Sequence, residues 1–357
     1  MSFFDENLAG GESVFRNEES LSPEWIPKIL PFREKQQKTI ARAIQPLFQN
    51  RSGPNILVTG APGIGKTAAV KVILRELEET STDVEPIYIN CWQKNTTFKV
   101  FVELCELLGY KFTQNKKTED LFAIIKKMSN KKPIVFVFDE VDKCEDVDFL
   151  YSLLEDVFVR TIILISNEDE WLSEIDARVR SRLLPDALLF QPYTKSEIRE
   201  ILKKRTEIAF VQDSWNQDAF EHVVEHASKF QDVRIGLHVL RISGRRAEDA
   251  GSKKIMKEHA EEAIQKMAEF EVKNPETLSE EDTTIIELVK KHSGKRIGEL
   301  FELFQSSGST TSYKTFQRHI EFLSKNKFIS VEKRTGGAEG TTTIVSYEKK
   351  LTEFGGA

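Results

Sequence analysis

The stretch that decides the fold is Gly60-Ala-Pro-Gly-Ile-Gly-Lys-Thr67, which matches the pattern GxxxxGK[ST] at every fixed position. It follows the apolar, β-rich run Asn55–Thr59 and precedes residues 68–77, whose apolar side chains recur with helical spacing. A strand that turns into a helix through such a loop points successive backbone N–H groups at a phosphate. The segment therefore predicts a P-loop, and the residues predicted to contact the nucleotide here are Gly60, Ala61, Pro62, Gly63, Ile64, Gly65, Lys66, Thr67 and Ala68.

The chemistry expected of this loop follows from its last two residues. Lys66 is predicted to reach the β- and γ-phosphates, and the Thr67 hydroxyl is predicted to bind Mg²⁺. The alternative is a glycine-rich turn that binds nothing. The match of the motif and of both flanks favours ATP or ADP with Mg²⁺ as the cofactors.

Hydrolysis requires a second strand that ends in acids, and residues 133–140 supply one. Five consecutive apolar residues precede Asp139 and Glu140, as is typical of a parallel strand buried on both faces. Carboxylates at the C-terminal end of such a strand fall beside the P-loop. We expect Asp139 to hold Mg²⁺ and Glu140 to act as the general base. The alternative is that both acids only cap the next helix.

A third buried strand is predicted at Thr161–Ser166, and Asn167 follows it. The Asn167 amide is expected to orient the attacking water against the γ-phosphate. Three strand ends are thus predicted to converge on one site.

Composition restricts the class of protein. The chain has 357 residues, which suggests two or three domains, and its 30% charged and 39% hydrophobic residues suit a folded protein. No apolar run is long enough to span a membrane and the N-terminus lacks the layout of a signal peptide, so we expect no membrane partner and a cytoplasmic, nucleoid-associated location. The three scattered cysteines, Cys91, Cys105 and Cys144, are predicted to be reduced thiols, two of them in the core.

The pattern along the chain predicts four regions: a flexible arm over 1–20, an α/β nucleotide-binding core with a parallel sheet over 21–192, an all-helical subdomain over 193–274, which we call the lid, and a further domain over 278–357. Pro192 ends the sheet region, and Thr194 with Glu197 forms a helix-starting capping box. Helices are expected over 37–48 in the core and over 194–210, 216–229, 233–250 and 256–270 in the lid.

The last region is predicted to be a winged helix. Helices are expected over 281–292, 297–305 and 312–326, followed by two strands around a glycine-rich tip at 336–340. The net charge of −6 gives no hint of nucleic-acid binding, but residues 310–350 hold eight Lys or Arg against four Glu. Winged helices also dock proteins. We expect duplex DNA contacts from the third helix and the wing, by Ser312, Lys314, Thr315, Arg318, Lys333, Arg334 and Thr341.

Together these motifs resemble the AAA+ ATPases. The P-loop, the strand ending in Asp139 and Glu140, Asn167, and the run Ile175–Leu183 provide the resemblance. The order of core, lid and winged helix resembles the archaeal replication initiators related to origin-recognition-complex subunit one and the cell-division-cycle-six protein. Supporting matches are Leu30-Pro-Phe-Arg33 and Val233–Arg241 in the lid, although Gln231 stands where members often have glycine.

The resemblance implies further site residues. Pro31 and Arg33 would border the adenine base, and Tyr193 would contact the nucleotide. Arg234 would be the lid arginine called sensor 2, which reaches the γ-phosphate, and Arg178 or Arg182 would be the arginine finger that acts on a neighbouring subunit. Residues 96–127 occupy the place of helices that contact DNA in some initiators, but Phe98, Phe101 and Leu104 there suit an ordinary core equally well.

The function implied is that of a replication initiator with weak, switch-like ATPase activity, which binds origin DNA and helps to load a replicative helicase, the MCM ring. Self-assembly on DNA is also expected. Two alternatives stay open at this point: a clamp-loader-like motor, and a nucleotide-sensing transcription regulator with the same winged helix.

Overall fold

A computed structural model describes residues 13–272, 280–306, 311–325, 328–334 and 342–347. The chain divides into two compact units, Met1–Met267 and Ala268–Ala357.

The first unit is built on a five-stranded sheet in which every pair of neighbours is parallel. Its strand order is β2-β3-β4-β1-β5. The strands, in chain order, are β1 (Ile56–Thr59), β2 (Glu85–Asn90), β3 (Ile134–Asp139), β4 (Arg160–Ile165) and β5 (Asp186–Leu189). The predicted parallel sheet is confirmed, and all six residues of β3 are buried because helices cover both of its faces.

Helices pack on both faces of this sheet. One apolar core lies between the sheet and the P-loop helix, Lys66–Thr80, while a second lies on the opposite face. The remaining helices on the two faces of the sheet are Glu34–Ile44, Thr97–Leu107, Thr118–Ser129, Asp148–Asp156, Trp171–Glu174 and Ala177–Leu183, with 3-10 turns at Gln45–Gln49 and Val141–Lys143. The helix predicted over 37–48 therefore begins earlier, at Glu34, and ends at Ile44, where Gln45-Pro46 opens the 3-10 turn.

Four helices form the lid: Lys195–Ala209, Gln217–Phe230, Val233–Asp249 and Lys257–Val272. The first of them begins with the capping box expected from the sequence, because the Glu197 N–H donates to the Thr194 hydroxyl and the Glu197 carboxylate accepts from the Thr194 N–H. Their apolar faces share one buried cluster that includes Leu202, Val224 and Leu240.

Residues 13–21 differ from the predicted flexible arm, because they pack against the lid. Val14 and Leu21 are buried in the lid cluster, and Phe15 pairs with Phe210 in an isolated antiparallel bridge. The Glu18 carboxylate forms ion pairs with Arg241 and Arg245, at 2.8 and 2.7 Å. The part of the predicted arm over residues 1–12 lies outside the described residues.

The second unit holds the helices Glu280–Lys291, Ile297–Ser306 and Tyr313–Lys325, and three antiparallel strands in the order β6-β8-β7. These strands are β6 (Lys295–Arg296), β7 (Ile329–Arg334) and β8 (Thr342–Tyr347). The apolar stripe predicted on the third helix forms part of the core, since Phe316, Ile320 and Leu323 are all buried.

Smaller predictions have mixed outcomes. Phe101 and Leu104 are buried, as expected if they belong to an ordinary core, but Phe98 is 45% exposed. Cys91 and Cys105 are buried and Cys144 is half-buried, and all three are free thiols. In the described part of the chain, no helix combines the length and apolarity that a membrane span requires.

Candidate nucleotide-binding site

The P-loop connects β1 to its helix through three glycines with positive φ: Gly60 at 136°, Gly63 at 75° and Gly65 at 88°. Gly63 is required for a second reason. A Cβ built there would lie 2.0 Å from the carboxylate of Asp232, a lid residue. The Val233 N–H also donates to the Gly63 carbonyl, at 3.4 Å, so the start of this lid helix lies directly on the phosphate loop.

Lys66 folds its ammonium back into the loop. Its Nζ donates to the carbonyls of Gly60 (2.5 Å) and Ala61 (2.8 Å), and to Oδ1 of Asn167 (2.8 Å). Burial lowers the pKa of the Lys66 ammonium to about 8, although Asp139 and Asp142 favour the charged form. The Lys66 ammonium therefore links the P-loop to the end of β4. A bound phosphate can take the place of the Gly60 and Ala61 carbonyls as its acceptor.

The pKa of Lys66 makes nucleotide affinity depend on pH. Phosphates favour the charged ammonium, so above about pH 8 the chain must take up a proton in order to bind. We expect affinity to fall by up to about tenfold per pH unit between pH 8 and 9.5. Fluorescence titration with a labelled ATP checks this, with Lys66→Gln as the pH-independent control; an affinity of the parent that is flat or rises over this range would contradict it.

Asp139 and Thr67 meet at the end of β3. The Thr67 hydroxyl donates to Oδ2 of Asp139, at 2.7 Å, and the Glu140 N–H donates to Oδ1, at 2.9 Å. A hydroxyl and a carboxylate are hard oxygen donors, and Mg²⁺ binds through one or two such groups together with phosphates and waters. The pair therefore fits the predicted magnesium site.

Glu140 directly follows Asp139 and has a left-handed backbone conformation, with φ 55° and ψ 41°. Burial, with the charges of Asp139 and Asp142, raises the pKa of its carboxyl above the ordinary value. A carboxylate with a raised pKa accepts a proton more readily, as a general base requires.

Arg234 reaches the site from the lid. Its guanidinium donates to the Asp232 carboxylate, with Nε 3.1 Å from Oδ1 and Nη2 2.7 Å from Oδ2. The Asp232 side chain also caps the helix that carries Arg234, accepting the Arg234 N–H at 2.8 Å. Asp232 is therefore the hydrogen-bond partner of the lid arginine in this structure.

Lys66, Thr67, Asp139, Glu140, Asn167 and Arg234 all line one cavity of about 440 Å³. Apolar and aromatic side chains line it as well, among them Trp25, Ile26, Pro27, Leu30, Tyr193, Ile201 and Leu237.

No local sequence pattern indicates that residues 22–27 contribute to this site, yet they line the cavity. Arg205 of the lid fixes them, because the guanidinium donates to the Ser20 and Trp25 carbonyls and lies 4.4 Å from the Trp25 ring centroid. These contacts join residues about 180 positions apart, and no local pattern signals them.

Arg33 has contacts other than the adenine border that the resemblance implies for it. It is 4% exposed, and its guanidinium donates to the Ile64 carbonyl at 3.0 Å and lies 3.7 Å from the Tyr193 ring centroid. Arg33 therefore braces the P-loop from behind. Neither Arg33 nor Pro31 lines the cavity, and Leu30 does so instead.

Other predicted contacts also separate into two groups. Pro62, Gly63, Gly65, Ala68 and Tyr193 line the cavity. Gly60, Ala61 and Ile64 do not, because the Ile64 side chain is buried in the core and the other two offer carbonyls to Lys66.

The two candidate arginine fingers lie outside the cavity. The Arg178 side chain is 78% exposed and pairs with Asp176, at 3.1 Å. Arg182 pairs with Glu155 and lies over the Tyr151 ring, 4.8 Å from its centroid. Their placement in trans stays a prediction.

A second cavity, of about 550 Å³, lies beside the lid helices Lys195–Ala209 and Gln217–Phe230. Phe210, Trp215 and Phe220 form its apolar wall. It holds no P-loop residue and no acid from β3, so the smaller cavity is the nucleotide candidate.

The predicted DNA contacts lie in the second unit. Ser312, Lys314, Thr315 and Arg318 are exposed on one side of the helix Tyr313–Lys325. The Ser312 hydroxyl caps this helix by accepting the Thr315 N–H, at 3.3 Å. Thr341 and the side chains of Lys333 and Arg334 lie outside the described part of the chain.

His319, on the same helix, is half-buried and contacts the helix Glu280–Lys291. Its ring nitrogens lie 2.6 Å from Oδ1 of Asp282 and 3.2 Å from Oε2 of Glu281. The helix Glu280–Lys291 therefore takes His319 away from the exposed face.

A parallel sheet with a P-loop, an acid pair after β3, an asparagine after β4 and a helical lid that supplies an arginine define an AAA+ ATPase. Two family models agree: the AAA ATPase domain matches residues 29–165, and the Cdc6 AAA+ ATPase-type lid domain matches residues 199–265.

Individual relatives narrow the family. The chain is 34% identical to ORC1-type DNA replication protein 1 of Sulfurisphaera tokodaii over 263 residues, which cover 70% of this chain and 66% of that protein. It is 28% identical to ORC1-type DNA replication protein 2 of Methanothermobacter thermautotrophicus over 95% of this chain and 93% of that one. The Aeropyrum pernix ORC1 protein, solved in complex with DNA, shares the fold with a TM-score of 0.77 and 24% identity over 94% of each chain. The chain belongs to the family of ORC1-type DNA replication proteins, related to Cdc6.

Proposed function

We propose that this chain is an ATP-dependent initiator of DNA replication, which binds origin DNA through a winged helix and the AAA+ core and helps to load the replicative helicase. The observation that supports the nucleotide part best is that Lys66, Thr67, Asp139, Asn167 and Arg234 line one cavity. The relatives named above are DNA replication proteins, so neither a clamp-loader-like motor nor a transcription regulator is favoured.

The nucleotide is ATP or ADP with Mg²⁺. We expect its adenine base to lie among Leu30, Ile201 and Leu237, and its phosphates to lie at the N-terminus of the P-loop helix. Thr67 and Asp139 would hold the magnesium ion, which supplies positive charge at the phosphate oxygens. Lys66 would exchange its carbonyl acceptors for phosphate oxygens.

Hydrolysis is a slow switch in this proposal. Glu140 accepts the proton of the attacking water and Asn167 orients that water. Arg234 exchanges Asp232 for the γ-phosphate, and lid position then depends on which nucleotide is bound. Because an arginine finger typically contributes roughly 10³ to 10⁵ in rate, a chain without a neighbour that offers Arg178 or Arg182 hydrolyses slowly.

The DNA surface proposed for the second unit is the exposed side of Tyr313–Lys325, together with the predicted wing, whose glycine-rich tip at 336–340 lies outside the described residues. Lys314 and Arg318 lie four positions apart on one helical face, so both can reach the same stretch of backbone phosphates. Assembly of several chains on DNA and contact with the MCM ring complete the proposal.

The DNA surface is tested by replacing Lys314 and Arg318 together with alanine. We expect affinity for duplex DNA to fall about tenfold or more, and the slope of log affinity against log salt to fall by about 2, because two cations leave the phosphates. Fluorescence anisotropy with a labelled duplex over a KCl series measures both quantities. Lys291→Ala, an exposed cation of the helix Glu280–Lys291, is the matched control. An unchanged affinity and slope in the double variant would remove this helix from the DNA surface.

A further inference from the structure

Tyr88 is a polar contact of the magnesium site that no sequence motif indicated. It lies near the C-terminal end of β2, which pairs with β3 in the register Tyr88↔Val137. Its phenolic oxygen is 2.6 Å from Oδ2 of Asp139, and the residue lines the nucleotide cavity.

The phenol acts as a donor in this contact. An ionised carboxylate can only accept and a phenol is protonated at neutral pH, so the Tyr88 hydroxyl donates to Oδ2 of Asp139. Lys71, on the P-loop helix, places its ammonium 4.3 Å from the centroid of the Tyr88 ring, and this contact further restricts the ring. The chain therefore holds a neutral O–H group against the carboxylate.

This contact determines how the Asp139 carboxylate is used. A carboxylate offers about four acceptor positions, two on each oxygen. The Thr67 and Tyr88 hydroxyls both donate to Oδ2, while Oδ1 accepts only the Glu140 N–H among the hydrogen bonds described. Oδ2 is thereby saturated, and the remaining position is on Oδ1.

We propose that Tyr88 is a positioning residue for the nucleotide's magnesium ion: its hydroxyl fixes the rotation of the Asp139 side chain so that Oδ1 is the oxygen offered to the ion or to its water. This inference rests on the proposed function, because it assumes Mg²⁺ with ATP or ADP in the cavity. Tyr88 acts through Asp139 and need not touch the nucleotide.

Tyr88→Phe removes the hydroxyl and keeps the ring. We expect the Mg²⁺ concentration that half-saturates the effect of the ion on binding of a fluorescent ADP to rise about tenfold, the loss typical of second-shell changes at metal sites. Affinity for the same ADP in EDTA should stay within about twofold of the parent, which also reports that the variant is folded. Tyr110→Phe is the control, because Tyr110 is half-buried on the core against Phe112 and does not line the cavity.

A second comparison separates positioning from general damage. In an Asp139→Asn background the carboxylate is absent, so Tyr88→Phe should change the Mg²⁺ requirement by less than about twofold, since residues that act through one another are not additive. The role of Tyr88 is overturned if Tyr88→Phe leaves the Mg²⁺ requirement unchanged, or if it weakens ADP binding in EDTA as much as it does with Mg²⁺. Neither result would affect the proposed function. A parent chain that binds no nucleotide overturns the proposed function together with this inference.

Discussion

Lys66→Ala is expected to weaken ATP binding by about 10- to 150-fold, the effect of removing one charged hydrogen-bond donor from the phosphates. The ammonium already lies among the Gly60 and Ala61 carbonyls and the Asn167 amide, where the phosphate must bind. Equilibrium titration with a fluorescent ATP at pH 6.5, well below the Lys66 pKa of about 8, measures the loss.

Lys204→Ala is the matched control for that experiment. Its ammonium is on the lid surface and pairs with Glu200, at 3.0 Å, so its loss should leave ATP affinity unchanged within about twofold. Equal affinities for the parent and Lys66→Ala would mean that the P-loop does not hold the triphosphate.

Glu140→Gln should abolish most ATP hydrolysis while ATP binding stays within about threefold of the parent. The amide cannot accept the proton of the attacking water, and loss of a general base typically costs 10² to 10⁴ in rate. Release of labelled phosphate over a single turnover measures the chemical step, and the titration used for Lys66→Ala measures binding.

Glu145→Gln provides the comparison, because Glu145 is an exposed acid five residues further along that contacts Asn95 and does not line the cavity. It should hydrolyse ATP at the parent rate. If Glu140→Gln kept more than about a tenth of the parent rate, another group would have to be the base.

The parts of the site that sequence alone predicted are those with a local pattern. The P-loop glycines need positive φ, and β3 is apolar throughout because helices cover it on both sides. Both demands fall on consecutive residues, so the sequence predicts the loop after β1 and Asp139 at the end of β3, which are their positions in the fold. The two strands with weaker patterns, β2 and β5, lie at the edges of the sheet and were not singled out.

Contacts between distant residues were beyond such patterns. Val14 and Leu21 belong to a polar N-terminal stretch, yet the lid cluster buries both of them. The family resemblance implies that Arg33 borders the base, but its guanidinium donates to the Ile64 and Gln191 carbonyls. Tyr88 and Trp25 enter the site through packing that no spacing of residues predicts.

The contact between lid and P-loop gives the proposed switch a physical basis. Asp232 caps its helix, lies against Gly63 and holds Arg234, so these three roles meet at a single carboxylate. A γ-phosphate that attracts Arg234 competes directly with Asp232. We therefore expect lid position and nucleotide state to be coupled at this residue.

The central claim is that one triphosphate lies between the P-loop, the acids after β3 and the lid. A structure of the complex with ATP, Mg²⁺ and duplex DNA tests it most directly. The account predicts phosphate density within hydrogen-bond distance of Lys66 Nζ, with the magnesium ion held by Thr67 and Asp139. Nucleotide density elsewhere, for example in the cavity beside Trp215, with the P-loop still closed on Lys66, would contradict it.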